Sequence, residues 1–251
     1  MHYFQIYLIS LIQITDLHLT ENKKTEVRSW NTLSSFQRTV DCIKTNENPD
    51  FILVSGDISA DGTKKSYVAY QKGIERFEKP VFTILGNHDN HKNFHAVFGT
   101  KFSSVEKITL SESWLIITID STSMNKESGH ITKQQMHSLR KLIANNKDKS
   151  LVICLHHQPI KMGFWIDQVG LENSDQFIAS IANQSNVKAV VWGHVHHESE
   201  SALGSIKMLS TPSTCYQFCG NAEKPDTNKP GYRKIKLFKS GKLETKVVRI
   251  D

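Results

Sequence analysis

Residues Leu8-Ile9-Ser10-Leu11-Ile12-Gln13-Ile14-Thr15-Asp16-Leu17-His18 read as an apolar strand, Leu8 to Thr15, running straight into Asp16 and His18. The same grammar returns along the chain. Phe51 to Ser55 leads into Gly56-Asp57, and Val81 to Leu85 into Gly86-Asn87-His88-Asp89. Leu151 to Leu155 leads into His156-His157-Gln158-Pro159, and Val187 to Trp192 into Gly193-His194-Val195-His196-His197. Short Ile/Val/Leu runs closed by polar or glycine-containing segments are expected of strands buried on both faces. Trp114 to Asp120 and Ile206 to Leu209 fit the same description, and Tyr232 to Phe238 with Leu243 to Ile250 flank Ser240-Gly241-Lys242 as a terminal hairpin.

Helical patterns lie between these runs. Ser34 to Thr45 carries Phe36, Val40 and Ile43 at helical spacing, and Thr63 to Phe77 follows the Asp61-Gly62 turn. Thr132 to Asn145 opens with a threonine cap answered by Gln135 three residues on; Ser174 to Ala182 is a shorter candidate. Strand–helix alternation predicts an α/β fold. The 251 residues suffice for one full-sized domain, and Asn221 to Pro230 is the most loop-like stretch.

Composition excludes more than it identifies. With 38% hydrophobic and 22% charged residues the chain is an ordinary globular one. A net charge of +6 is weak support for an anionic partner, because the Lys and Arg residues form no run that would mark a nucleic-acid arm or membrane anchor. The apolar start, Met1 to Ile14, lacks a basic leader and a cleavage motif and is too short to span a membrane. Cys154 reads as core, Cys215 and Cys219 have no matching second pair, and with Cys42 they are expected as reduced thiols in the cytoplasm.

The chemistry is expected where the strands end, since ligands of α/β sheets collect at their carboxyl ends. Twelve histidines, several beside Asp, Asn and Gly in those segments, invite a metal-site search. One catalytic metal needs about three protein ligands and an open position. Asp16, His18, Asp57, Asn87, His156, His194 and His196 are too many for one ion and suit two sharing a carboxylate. In Asp16-x-His18 and His194-x-His196, residues two apart on an extended backbone point the same way. Gly56, Gly86 and Gly193 let the chain turn and bring the ligands close. Any one of these histidines read alone is as well explained by burial with a hydrogen bond; that explanation must hold five times, in order, at strand ends.

Taken together, Asp16-x-His18, Gly56-Asp57, Gly86-Asn87-His88-Asp89, His156-His157 and Gly193-His194-x-His196 resemble the motif set of the calcineurin-like metallophosphoesterases. The resemblance implies a four-layer α/β/β/α sandwich of two packed mixed β-sheets flanked by helices, in one domain over residues 1–251, with 197–251 a strand and loop extension near the site. It implies two metal ions about 3.5–4 Å apart: Asp16, His18 and His196 on one, Asn87, His156 and His194 on the other, and Asp57 bridging, with His157 the fallback for His156. Manganese and iron lead the metals, with zinc or cobalt also compatible with these ligands. Asn87, His88 and His196 would meet the substrate. His88 would act on the phosphate as a catalytic group, and Asp89 would orient it.

Trp165-Ile166-Asp167-Gln168 with Leu171-Glu172-Asn173, and Ser210-Thr211-Pro212-Ser213-Thr214-Cys215-Tyr216-Gln217-Phe218, resemble the class III cyclic AMP phosphodiesterases of bacteria. The second run is equally readable as a turn between strands, and the two readings are compatible. The resemblance implies a small anionic phosphodiester substrate, cyclic AMP, hydrolysed to the 5′-monophosphate by a metal-activated water. Broader action on glycerophosphodiesters, nucleotide sugars or nucleic acid, a non-catalytic binding scaffold, and a homodimer stay open at this point. A phosphoprotein phosphatase is disfavoured, because Ile58 and Ser59 follow Asp57 and Asp89 stands where that group has Glu.

Overall fold

The computed structural model describes residues 8–99, 104–218 and 228–250. Cys219 and the expected loop as far as residue 227 lie outside them.

The described chain forms eleven strands and five α-helices in the order β1 (Leu8–Ile14), α1 (Thr32–Asn46), β2 (Phe51–Ser55), α2 (Lys64–Glu75), β3 (Val81–Ile84), α3 (His91–Phe98), β4 (Val105–Thr109), β5 (Trp114–Ile119), α4 (Lys133–Ala144), β6 (Ser150–Cys154), α5 (Ser174–Ile181), β7 (Val187–Trp192), β8 (Ser199–Leu203), β9 (Ile206–Ser210), β10 (Gly231–Phe238) and β11 (Leu243–Arg249). One sheet has the order β11-β10-β1-β2-β3 and the other β4-β5-β6-β7-β9-β8. Both are mixed. In the first, β1, β2 and β3 run parallel while β10 lies antiparallel to β1, pairing Leu8 with Phe238 and Leu11 with Ile235. In the second, β5, β6, β7 and β9 are parallel, with β4 and β8 antiparallel at the two edges.

Side-chain alternation sorts the strands into three apolar layers. Ile9 and Leu11 of β1 meet Val152, Cys154 and Val191 between the sheets. Ile12 and Ile14 point the other way, onto Phe36 and Val40 of α1 and Tyr67 and Tyr70 of α2. Across the molecule, Leu151 and Ile153 pack on Met136 and Leu139 of α4 and Phe177 of α5. A strand whose alternate residues enter two different cores reads as continuously apolar. The result is helix, sheet, sheet, helix. Arg233 of β10 is buried between the sheets, donating to the Ser199 and Ser210 carbonyls and to Thr245 Oγ1.

The expected helices start and stop within two residues of the observed ones, and the capping box of α4 is made by Thr132 and Gln135 as predicted. Three elements differ from expectation. Strands β4 and β8 are edge strands with mostly exposed side chains, so they carry no apolar run. Helix α3 carries its own signals: an Asn90 cap, Phe94, Val97 and Phe98 on one face, and Gly99 closing it in the left-handed region. The stretch expected as an extension supplies β8 to β11, which complete both sheets.

Candidate metal centre

All five motif segments converge at the carboxyl ends of β1, β2, β3, β6 and β7, on one rim of the sandwich and across the seam between its sheets. Asp16, His18, Asp57, His194 and His196 adopt positive φ, between 42° and 65°. Non-glycine residues enter that region only where the surroundings hold them there, and such strain clusters at functional sites. Gly56 has φ 102°, which only glycine tolerates easily. At Gly86 the constraint is space: a Cβ would lie 2.2 Å from Asp57 Oδ1 and 2.7 Å from His156 Nε2.

Two groups of ligand atoms face each other over Asp57. In the first, His196 Nδ1 donates to the Tyr216 carbonyl (2.8 Å), which leaves Nε2 as a lone pair. That atom lies 2.9 Å from His18 Nε2 and 3.5 Å from Asp16 Oδ1. In the second, His156 Nδ1 donates to the Ser55 carbonyl (2.8 Å), and Nε2 sits 3.2 Å from Asn87 Oδ1 and 3.4 Å from Asp57 Oδ1. The other carboxylate oxygen, Asp57 Oδ2, is 3.7 Å from His18 Nε2. His194 directs Nε2 to the Val169 carbonyl (3.1 Å), freeing Nδ1, and its backbone N–H donates to Asp16. Donor atoms of Asp16, His18 and His196, of Asp16, Asp57 and His156, and of His156, His157 and His194 lie within 4.8 Å of one another.

The electrostatics are those of a site built around positive charge. Burial would raise Asp57, but His156 outweighs it and holds the carboxyl well below its usual range; for Asp16 too burial is outweighed, and His196 lowers the carboxyl. Burial would lower His156, yet Asp57 pushes it up to about 9. A proton on Nε2 therefore stands where a cation would, and metals compete with protons for such atoms. His18, buried and with Nδ1 lacking any hydrogen bond, is pushed down to about 3, and burial takes His194 well below its ordinary value. Neutral imidazoles, ionised carboxylates and an amide oxygen are a fitting ligand set for two ions of the manganese, iron or zinc kind.

His157 is placed differently from His156. Its Nε2 donates to the Glu127 carbonyl (3.0 Å) and Nδ1 pairs with Ser121 Oγ (2.8 Å), so both ring nitrogens are occupied. His88 stands at the edge of the site with its side chain 46% exposed, its backbone N–H on Asp57 Oδ1 (3.0 Å). The expected pairing of Asp89 with the His88 ring is not formed. Asp89 instead accepts from the N–H groups of Gly86, Ile58 and Ser59 and from Tyr67 Oη, tying the β2 loop to the β3 loop. Burial, then the negative charge of Asp57, raises its pKa to about 7. The backbone donors were free because both loops turn sharply there, and the carboxylate satisfies them.

The Thr211–Cys215 run resolves into a buttress. Thr211 Oγ1 donates to Gln13, the Thr214 N–H to the Thr15 carbonyl, and Ser213 Oγ to the Asp16 carbonyl (2.8 Å). Tyr216 and Phe218 continue from it into a cavity of about 310 Å³ over the centre, lined also by Arg28, Asn87, His88, Glu127, Trp165, His18, His194 and His196. Arg28 and Glu127 have no sequence signal, since each sits in a loop remote from every motif. A second cavity, about 420 Å³, lies between α1 and α2 and contains none of the clustered histidines.

A mixed two-sheet sandwich with paired His/Asp clusters on one rim defines a class: phosphoesterases that work through metal ions. A model described as calcineurin-like phosphoesterase matches residues 9–198, and the chain belongs to that family. It is 32% identical over 249 residues to the 3′,5′-cyclic adenosine monophosphate phosphodiesterase CpdA of Haemophilus influenzae, covering 97% of this chain and 91% of that protein. It is 33% identical over 247 residues to the like-named protein of Vibrio vulnificus, covering 96% and 90%. Among solved structures, a dimetal phosphatase from Danio rerio shares the fold at a TM-score of 0.70, with 9% identity and coverage of 97% and 99%.

Proposed function

We propose that the protein is a cytoplasmic, two-metal phosphodiesterase that hydrolyses 3′,5′-cyclic AMP to adenosine 5′-monophosphate. The observation that carries the reading is Asp57, whose two oxygens face opposite ligand groups, one 3.4 Å from His156 Nε2 and the other 3.7 Å from His18 Nε2. The near-full-length likeness to proteins named cyclic AMP phosphodiesterases supports the substrate. The free thiols of Cys42, Cys154 and Cys215 support the compartment, and among the described residues no helix is long and apolar enough to cross a membrane.

Asp16, His18 and His196 would hold one ion, Asn87, His156 and His194 the other, and Asp57 both; manganese or iron suits these ligands. When bound, two such ions would supply positive charge beside the phosphoryl oxygens and make a nearby water more acidic. The chain's own groups do the rest. A phosphate held in the cavity would lie beside His88, which lines it and is tethered through its backbone to Asp57. As the new P–O bond forms and the P–O3′ bond breaks, His88 in its imidazolium form gives a proton to O3′, and the proton released by the attacking water restores it through solvent. Asp89 is a positioning residue, fixing the two loops that carry Asp57 and Asn87.

The test is turnover by metal-stripped protein with Mn²⁺ or Fe²⁺ restored, on cyclic AMP beside a generic aryl phosphodiester. Metal-dependent hydrolysis of cyclic AMP is expected. Turnover of the aryl diester alone would overturn the substrate, and turnover of neither would overturn the catalytic reading.

A further inference from the structure

The reaction at phosphorus leaves unused the outer wall of the cavity, where two features meet. Trp165, in a short 3-10 turn at residues 165–169, is 48% exposed, and among the described residues only Met124 is a more exposed large apolar side chain. It is held there: Asp167 accepts from the N–H groups of Met162 and Gly163, and Gln158 donates to the Ile166 carbonyl. Its indole meets the Phe218 ring at 5.0 Å, edge to face, and Phe218 in turn stacks on the His196 ring at 4.1 Å.

The second feature is Arg28. Val27 and Trp30 exchange both backbone hydrogen bonds, closing a two-residue turn in which Arg28 and Ser29 have φ of 50° and 65°. Positive φ at both central positions is the geometry that normally selects Asn-Gly. Neither residue relieves the strain here, and strain retained in a loop points to a function for what the loop presents. What it presents is an exposed guanidinium lying over Phe218 and Tyr216, 5.2 and 5.6 Å from the ring centroids. Arg28 makes no ion pair among the described residues, so its outer face is open to the cavity it lines.

We infer that Trp165 and Arg28 form a nucleobase platform, with Phe218 as the brace between them. The inference rests on the phosphodiesterase reading of the same site and adds what part of the substrate is recognised away from phosphorus. Indole and guanidinium planes both stack on purines, and stacking is tolerant of base identity because every base has a π-face. The platform reads that a planar base is present rather than which one it is.

Calorimetric titration of Mn²⁺-loaded protein with AMP, GMP and ribose 5-phosphate tests this without requiring turnover. AMP and GMP should bind within a few-fold of each other, and about tenfold or more tighter than ribose 5-phosphate. Trp165→Ala should remove most of that advantage and leave ribose 5-phosphate unchanged, while Trp165→Phe restores it. Arg28→Lys keeps the charge and loses the plane, so AMP should weaken in it while ribose 5-phosphate does not. Equal affinity for AMP and ribose 5-phosphate in the unaltered protein, or an advantage that survives Trp165→Ala, overturns the platform. Failure to hydrolyse cyclic AMP with the AMP advantage intact would instead sink the substrate assignment and leave the platform standing.

Discussion

Asn87 and His88 are neighbours in sequence with different expected duties, and variants separate them. Asn87 Oδ1 faces His156 Nε2, so Asn87→Ala should remove most activity and lower metal content, as should His196→Ala at the other group. His88→Ala should cut turnover by roughly 10²–10⁴-fold, the usual worth of a general acid, with metal content preserved. Metal analysis beside kcat decides it, and metal loss from the His88 variant would mean that the ligand groups are drawn wrongly. At this scale the sequence was legible wherever a side chain's chemistry announces its use. The motif residues come together from five separate segments as their order suggested. It misleads on conformation: the backbone expected to be extended at Asp16-x-His18 and His194-x-His196 is left-handed at all four residues, which nothing in their letters tells. Nor does Asp89 advertise that its partners are backbone amides, which look alike in every residue.

Among the elements, the short turns after β2 and β3 carry the strictest demands. Gly86→Ala would place a methyl against Asp57 Oδ1 and the Asp57 backbone N–H, so it should destabilise the fold by roughly 1–3 kcal/mol, the cost of overpacking a tight site. The same substitution should depress metal affinity, because Asp57 has to move. Denaturant midpoints with and without metal measure both effects, and a neutral Gly86→Ala variant would contradict the geometry. Strands buried on both faces were readable because both cores write apolar residues into them. The edge strands β4 and β8 were not, since exposed side chains leave only a polar alternation that many loops share. Helix α3 was readable in principle from Asn90 and Gly99, which cap it.

For the molecule as a whole, the candidate metal centre is a joint between the two sheets. Asp16, His18, Asp57 and Asn87 come from the first, and His156, His194 and His196 from the second. Ions bound by both should therefore stabilise the assembled sandwich. At free metal a hundredfold above its dissociation constant, binding adds about 2.7 kcal/mol. That should raise the unfolding temperature by roughly 5–10 °C for a chain of this size. Thermal melts before and after chelation read the shift directly, and identical melting temperatures would separate the centre from the integrity of the fold. The layered architecture was legible from strand–helix alternation together with the family resemblance. The sheet assignments were not, because β10 and β11 join the first sheet from the far end of the chain.

That last pairing has a bearing on biosynthesis. Strand β1 is flanked on one side by β2 and on the other by β10, whose residues 231–238 are made long after β1 and β2. While the ribosome is still extending the chain, one edge of β1 has no partner and stays open to pairing with other chains. The segment bearing Asp16 and His18 thus reaches its final setting only after β10 has been made and has paired. A nascent protein of this design gains its catalytic competence only once β10 has docked, and its aggregation-exposed interval falls just before that.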